Sequence, residues 1–134
     1  MVPTIVPIYA AILAIVFVGL SFRVANTRRS RQIGLGSGGD VLLERRIRVQ
    51  GNFAEYVPIA LILFTFIEMQ NWPRWLVHML CIALLAARLL HAYGVAQEPE
   101  DIRLRASGAA TTFVVIVVAA LILLAGLIAR KGGA

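Results

Sequence analysis

The chain has little cysteine, little histidine and few charged residues, and each scarcity excludes a class of protein. Among its 134 residues there is one cysteine, Cys81, so a disulfide within the chain and a four-cysteine metal site are both excluded. Its two histidines, His78 and His91, lie near opposite ends of one apolar segment, and we predict no metal site. Only 15% of the residues are charged and 60% are hydrophobic. A soluble domain of this size does not need so much apolar surface, so the composition predicts an integral membrane protein.

The charge that remains is mostly positive, with a formal net charge of +6 carried mainly by arginine. A basic balance can indicate a nucleic-acid partner, but here the arginines lie in loops beside apolar segments. Attraction to anionic lipids and the topology of a membrane protein explain this arrangement better. We therefore expect membrane lipids, and no nucleic acid, among the partners.

Four apolar segments predict four membrane-spanning helices, because each is close to the ~20 residues that cross a bilayer. Their approximate bounds are 3–24, 44–69, 74–96 and 106–129. No basic region precedes the first apolar run, which favours a retained helix over a cleaved signal peptide. The predicted fold is an all-α membrane protein, a four-transmembrane-helix bundle that forms one domain over residues 1–134.

The distribution of arginine predicts the orientation. The loop between the first two spans, with its flanks, holds Arg23, Arg28, Arg29, Arg31, Arg45 and Arg46, and the loop between the last two holds Arg103 and Arg105. The other side has only Arg74, Arg130 and Lys131. By the positive-inside rule, loops 25–43 and 97–105 are cytoplasmic and both termini lie on the non-cytoplasmic side. The expected location is a bacterial inner membrane, which the chain crosses several times.

The second predicted helix carries a polar face into the membrane. Arg48, Asn52 and Glu55 are spaced i, i+4 and i+7, so they share one side of a helix, with Arg45 a turn before them. Ionisable groups inside a bilayer are costly and usually face a bundle interior, a partner or a ligand. This stretch is therefore the first place to look for function.

The third predicted helix holds Arg88 and, one turn later, His91, among alanines and leucines. At ~1.5 Å of rise per residue, Arg88 and Glu55 lie at comparable depths, which predicts that they form a buried ion pair. Such a pair could belong to a binding site, or it could only fix the register of the two helices with nothing bound.

These residues together resemble a known family. Arg48-x-Gln50-x-Asn52-x-x-Glu55-Tyr56-x-Pro58 is similar to the second-helix signature of the MAPEG proteins, the membrane-associated proteins in eicosanoid and glutathione metabolism. Arg88-x-x-His91 with Gly94, and Arg105-x-Ser107-Gly108, resemble the motifs of the third and fourth helices. The first-loop sequence from Gly36 to Asp40 resembles the family's short bacterial branch.

The resemblance implies a four-helix protomer in a homotrimer, with glutathione bound as cosubstrate at subunit interfaces near the cytoplasmic side. Carried over by position, the glutathione-binding residues would be Arg48, Asn52, Glu55, Tyr56, Arg88, His91 and Arg103. Arg105, where the fourth helix begins, would stabilise the glutathione thiolate. The second substrate would be a lipophilic electrophile or hydroperoxide that arrives from the bilayer.

The predicted function is therefore that of a membrane-bound glutathione transferase or peroxidase. Two alternatives remain. Relatives carry a tyrosine seven residues after the third-helix arginine, where Val95 stands here, so the chain could instead be a non-catalytic glutathione- or lipid-binding protein of the same fold. The other alternative, a small four-helix transporter, is disfavoured because the first span has no charge between Ile5 and Leu20.

Overall fold

The computed structural model describes residues 2–97 and 99–131, and these form four helices without a strand. They are α1 (Val6–Arg31), α2 (Val41–Met69), α3 (Arg74–Ala96) and α4 (Ile102–Lys131). Each is long and apolar enough to cross a membrane, which confirms the predicted all-α, four-helix bundle. Met1, Glu98 and residues 132–134, which the predicted domain 1–134 includes, lie outside the described residues.

The helices α1 and α2 are longer than their apolar runs. Residues that cap the helix backbone, rather than hydropathy, determine where α1 ends and where α2 begins. The last turn of α1 carries three arginines, which suit the negative end of a helix dipole, and Gln32 then adopts a left-handed conformation with φ 55°. At the start of α2, Asp40 Oδ1 accepts a hydrogen bond of 2.8 Å from the backbone N–H of Leu43. The same carboxylate pairs with Arg31 at 3.1 Å. The carboxylate of Asp40 thus links the end of α1 to the beginning of α2.

The connection between α1 and α2 requires glycine. Gly36, Gly38 and Gly39 have φ values of 66°, 58° and 80°, which residues with a Cβ rarely adopt. Arg28 donates a hydrogen bond of 2.6 Å to the carbonyl of Gly36 and holds this connection against α1. We call the end of the bundle that carries connections 32–40 and 97–101 the basic end.

At the opposite end, the carboxylate of Glu68 caps the first turn of α1. Its Oε1 accepts from the backbone N–H groups of Thr4 and Ile5 at 2.6 and 2.7 Å, and its Oε2 accepts from that of Val6 at 2.9 Å. The first N–H groups of a helix have no partner within the helix, and a negative charge beside them is favourable. Glu68 therefore ties the start of α1 to the end of α2.

Helices α2 and α3 form the centre of the bundle. Each contacts both α1 and α4, whereas α1 and α4 do not contact one another within the described residues. The outward surfaces are mainly apolar, as a lipid environment requires; examples are Ile15, Phe22, Val117, Leu121 and Ile128, all of which are exposed. The α2–α3 pair consequently has one crevice on its α1 side and another on its α4 side.

The closest helix contact joins α3 to α4 through two glycines. A Cβ added at Gly108 would lie 2.6 Å from the carbonyl oxygen of Ala87, and one added at Gly94 would lie 2.5 Å from the backbone nitrogen of Arg105. The sequence favours a close-packing face at Gly108 and Thr112. In the structure this face contacts α3 of the same protomer, and Thr112 is fully buried.

Candidate functional site

A polar cleft opens at the basic end between α2, α3 and α4. Its volume is about 130 Å³. It is lined by Glu44, Arg45, Arg48, Val49, Asn52, His91, Val95, Glu100 and Arg105. Four residues that the sequence assigns to a site, one or more from each of the three helices, lie together here: Arg48, Asn52, His91 and Arg105.

Arg88 lies behind the wall of this polar cleft rather than on its surface. Its side chain is 2% exposed, and its Nη1 donates to Asn52 Oδ1 at 2.6 Å. Its Nε and Nη2 are buried and have no hydrogen-bond partner among the described residues. A buried guanidinium without an acidic partner is costly, so Arg88 places an uncompensated positive charge beside Asn52.

The predicted ion pair between Glu55 and Arg88 is wrong. Glu55 is exposed, and neither of the two ion pairs among the described residues includes it. At about 100° per residue, Glu55 is about 200° around α2 from Phe53, whose side chain is buried in the core. Similar depth in the membrane was a necessary condition for the pair, but the rotation of α2 turns Glu55 outward and leaves Asn52 to meet Arg88.

His91 connects the polar cleft to the backbone of α4. Its Nδ1 lies 3.2 Å from the carbonyl oxygen of Arg105. Because a carbonyl can only accept, Nδ1 carries the hydrogen and Nε2 is left as the acceptor of the neutral ring. This contact lies beside the close approach at Gly108, so the packing of α3 on α4 positions the imidazole.

Arg105 and Arg103 occupy the first turns of α4 but have different surroundings. Asp101 caps this helix through Oδ1, which accepts from the backbone N–H groups of Arg103 and Leu104 at 3.0 and 3.1 Å. The guanidinium of Arg105 then pairs with Glu100 at 2.7 Å at the mouth of the polar cleft. Arg103 is exposed and does not line the cleft.

Tyr56 and Glu55 lie one turn deeper than the cleft and do not line it. The ring of Tyr56 packs edge-on against Phe113 of α4, with centroids 5.0 Å apart and planes at 68°. The residues predicted for one site therefore separate within a protomer. Some line the polar cleft, Arg88 lies behind it, and Glu55, Tyr56 and Arg103 lie elsewhere.

Sequence reasoning missed two acidic residues of the cleft, Glu44 and Glu100. Glu44 lies four positions before Arg48, a spacing that places both on one side of a helix and could have revealed it. Glu100 belongs to the connection between α3 and α4, whose path no helical periodicity predicts. Arg45, noted one turn before the polar face, does line the cleft.

The polar cleft is chemically suited to a ligand with both anionic and cationic groups. Arg45, Arg48 and Arg105 offer guanidinium groups, which bind carboxylates through two parallel hydrogen bonds, and Glu44 and Glu100 offer carboxylates. Its volume is below the ~300–1,000 Å³ of clefts that enclose a small molecule. The cleft within one protomer therefore does not enclose a whole small molecule. No cluster of three or more metal-ligating side chains occurs in residues 2–97 and 99–131.

Comparison with known proteins agrees with the motifs of the three helices. A family model described as "MAPEG family" matches residues 6–125. The chain is also similar to two proteins named "Inner membrane protein YecN", one from Escherichia coli strain K12 and one from Escherichia coli O6:H1. Each is 39% identical over 106 residues, which cover 79% of this chain and 79% of the relative.

Proposed function

The chain belongs to the MAPEG family, and from that premise we propose that it binds glutathione in the polar cleft and presents the thiolate to lipophilic electrophiles or hydroperoxides. One observation supports the proposal most directly. Side chains from α2, α3 and α4 that the family motifs single out, Arg48, Asn52, His91 and Arg105, line the same cleft.

The charges of the cleft complement those of glutathione, which has two carboxylates and one ammonium group. Arg48 and Arg45 are placed to bind carboxylates, and Glu44 is placed to receive the ammonium group. Glu55 is the acid that the second-helix motif offers for this role, but Glu55 does not line the cleft, whereas Glu44 does. Asn52, whose Oδ1 accepts from Arg88, can donate its amide N–H groups to a peptide carbonyl.

The chemistry requires the thiolate, because a free thiol near pKa ~8.5 is mostly protonated at neutral pH. Cationic groups and a helix N-terminus lower that pKa. Arg105, at the start of α4, and the uncompensated charge of Arg88 both act in this direction. No side chain attacks the substrate; the protein supplies position and electrostatic stabilisation.

Two reaction courses follow from a bound thiolate. With an electrophilic carbon, the sulfur forms an S–C bond while a leaving group departs or the resulting carbanion takes a proton. With a hydroperoxide, the sulfur attacks the terminal oxygen, the O–O bond breaks and an alcohol leaves. The glutathione sulfenic acid then reacts with a second glutathione to give the disulfide and water.

A second copy of the chain completes the proposed site, and the expected assembly is a homotrimer. The cleft of one protomer is too small for a whole ligand, and Glu55 is an exposed acid within a span of α2. An unpaired carboxylate facing lipid is costly, so a neighbouring protomer against this face of α2 would stabilise the molecule and bring Glu55 to the shared pocket.

The proposed location is a bacterial inner membrane, which is where the names of the two Escherichia coli relatives place those proteins. The arginine-rich connections would face the cytoplasm under the positive-inside rule, with both termini on the other side. The polar cleft would then open to the cytoplasm, where glutathione is available.

Calorimetric titration of the detergent-purified protein with glutathione tests the proposal, with the ultraviolet absorbance of the thiolate as a second readout. We expect Arg48→Gln to weaken binding by about 10- to 100-fold, as the loss of a charge-assisted hydrogen bond does. Arg29→Gln, which removes an exposed arginine outside the cleft, is the matched control. If the unsubstituted protein does not bind glutathione, or if both variants bind equally well, the proposed site is wrong.

A second candidate function, glutathione binding without catalysis, is favoured by Val95. This residue lines the polar cleft with 6% of its surface exposed, and it stands where well-studied members of the family that the motifs resemble carry a tyrosine. Glutathione that binds without a thiolate signal would support this candidate, whereas a signal that Arg105→Ala abolishes would support the transferase or peroxidase.

A further inference from the structure

A second cavity lies at the basic end on the other side of the α2–α3 pair, between α1, α2 and α3. Its volume is about 240 Å³. Arg23 of α1 and Arg45 and Arg46 of α2 line it, and we call it the arginine crevice. The rest of its lining is apolar and includes Leu20, Leu42, Ala92 and Ala96.

The three arginines have no acidic ion-pair partner among the described residues. The ion pairs within residues 2–97 and 99–131 are Arg31–Asp40 and Arg105–Glu100, and neither lies in this crevice. The arginine crevice thus concentrates positive charge that no group of the described chain neutralises.

Arg46 is held in place by α1 while part of its guanidinium remains unsatisfied. Its Nη1 donates to the hydroxyl of Thr27 and, at 3.5 Å, to the carbonyl of Arg23. Its Nε is buried and has no hydrogen-bond partner among the described residues. Since buried polar groups are normally paired, this unpaired donor leaves part of the charge of Arg46 unsatisfied beside the crevice.

The position of the crevice in the fold indicates what kind of anion could bind to its arginines. α3 ends at Ala96, and the apolar parts of α1 and α2 adjoin Leu20 and Val49. The crevice therefore lies where the apolar spans meet the arginine-rich connections, at the level of lipid head groups. A soluble anion would use the guanidinium groups but would leave the apolar walls without a partner.

We propose that the arginine crevice binds the head group of an anionic phospholipid from the adjoining leaflet. The phosphate accepts hydrogen bonds from Arg23 and Arg46, and the first methylenes of the acyl chains contact Leu20 and Ala92. The cavity is smaller than the ~300–1,000 Å³ of pockets that enclose a whole small molecule, which suits a ligand whose chains stay in the bilayer. The arginine crevice shares Arg45, Val49 and Val95 with the polar cleft, but Arg23 and Arg46 line only the crevice. Because the lipid proposal rests on Arg23 and Arg46, each proposal can fail without the other.

Native mass spectrometry of the full chain in detergent tests the proposal. The protein is titrated with phosphatidylglycerol and, separately, with phosphatidylcholine of the same acyl chains. We expect tighter binding of the anionic lipid, and we expect Arg23→Gln/Arg46→Gln to weaken it by about 30-fold, which corresponds to about 2 kcal/mol for two cationic groups near an anionic head group. The control Arg29→Gln/Arg74→Gln removes the same net charge from exposed positions outside the crevice and should keep the preference.

Two further measurements distinguish the possible outcomes. Arg46 also contacts α1, so if the double variant fails to fold, Arg23→Gln alone decides, because the exposed side chain of Arg23 makes no hydrogen bond with any described residue. Inorganic phosphate is added as competitor to separate a lipid from a free anion. Equal affinity for both lipids, a preference retained by the crevice variants, or displacement of the lipid by phosphate at equal concentration would each overturn the proposal.

Discussion

The guanidinium of Arg105 can pair either with Glu100 of the same protomer or with the proposed ligand. Its pair with Glu100 is partly exposed, with side-chain exposures of 53% and 21%. Exposed ion pairs contribute only ~0.2–1 kcal/mol. A carboxylate or thiolate of the ligand can therefore compete for the guanidinium, and Glu100 sets how much of the charge of Arg105 is available.

We predict that Glu100→Gln increases glutathione affinity by about two- to fivefold, because the free energy of the exposed pair no longer has to be overcome. Calorimetric titration measures the effect. The matched control repeats the change in an Arg105→Gln background, where Glu100 no longer has this ion-pair partner. If Glu100→Gln raises the affinity equally in both backgrounds, Glu100 does not compete for Arg105.

Glu68 is a second residue whose role follows from its contacts. We predict that Glu68→Ala lowers the free energy of unfolding by about 2–3 kcal/mol, because three backbone N–H groups lose a charged cap, and that Glu68→Gln lowers it by about 1 kcal/mol. Denaturant titration in detergent gives these values, and hydrogen exchange at Thr4–Val6 should become faster. Glu44→Ala, an exposed acid on the same helix, is the control; an equal loss of stability there would refute the capping role.

At the scale of elements, the contact between α3 and α4 positions His91 and Arg105. We predict that Gly108→Ala lowers the free energy of unfolding by about 1–3 kcal/mol, because the new Cβ would lie within 2.6–2.8 Å of three atoms of Ala87 and His91. Gly51→Ala meets nothing within 4 Å and should be neutral or stabilising by up to about 1 kcal/mol. Thermal unfolding in detergent compares the two variants.

Displacement of α4 by Gly108→Ala should also weaken glutathione binding, since His91 donates to the backbone of Arg105. Gly51 lies on α2 outside the cleft lining, so its variant should bind as before. Equal stability and equal binding in the two variants would show that α3 and α4 can separate without cost.

The helices themselves were predictable from sequence, but their ends were not. Runs of apolar residues reveal spans because lipid contact requires them along the whole crossing. Helix ends depend on single side chains instead. Asp40 and Asp101 begin α2 and α4 several residues before the apolar runs, and their carboxylates bind nearby backbone N–H groups that hydropathy does not register.

The candidate site was predictable in composition but not in arrangement. The i, i+4 spacing placed Arg48 and Asn52 on one side of α2, and both line the cleft. Depth along the axis suggested Glu55 as the partner of Arg88, but depth does not give the rotation of the helix about its axis. That rotation is set by the burial of Val49, Phe53 and Val57, which only tertiary packing reveals.

For the whole molecule, the outward face of α2 differs from those of the other helices. Arg48 and Glu55 are exposed there together with Ile59 and Ile62, whereas the exposed face of α4 over residues 113–128 is apolar. An apolar face is satisfied by lipid, but ionisable groups within a span need protein or water. This asymmetry favours α2 as the surface that meets another copy of the chain.

We predict that a cysteine at Ile59, one turn from Glu55 on the same face, forms a disulfide between two copies of the chain when the detergent-purified protein is oxidised. The native Cys81, which is fully buried, is first replaced by alanine so that the new thiol is the only one. Leu121→Cys, exposed on the apolar face of α4, is the control. Because disulfides need Cα atoms within ~7 Å, a covalent dimer on a denaturing gel for Ile59→Cys and not for Leu121→Cys places α2 at the interface. The reverse pattern would place α4 rather than α2 at the interface, and a yield that depends on protein concentration would indicate collisions between separate molecules. Either result would show that a second copy does not complete the polar cleft at the Glu55 face of α2.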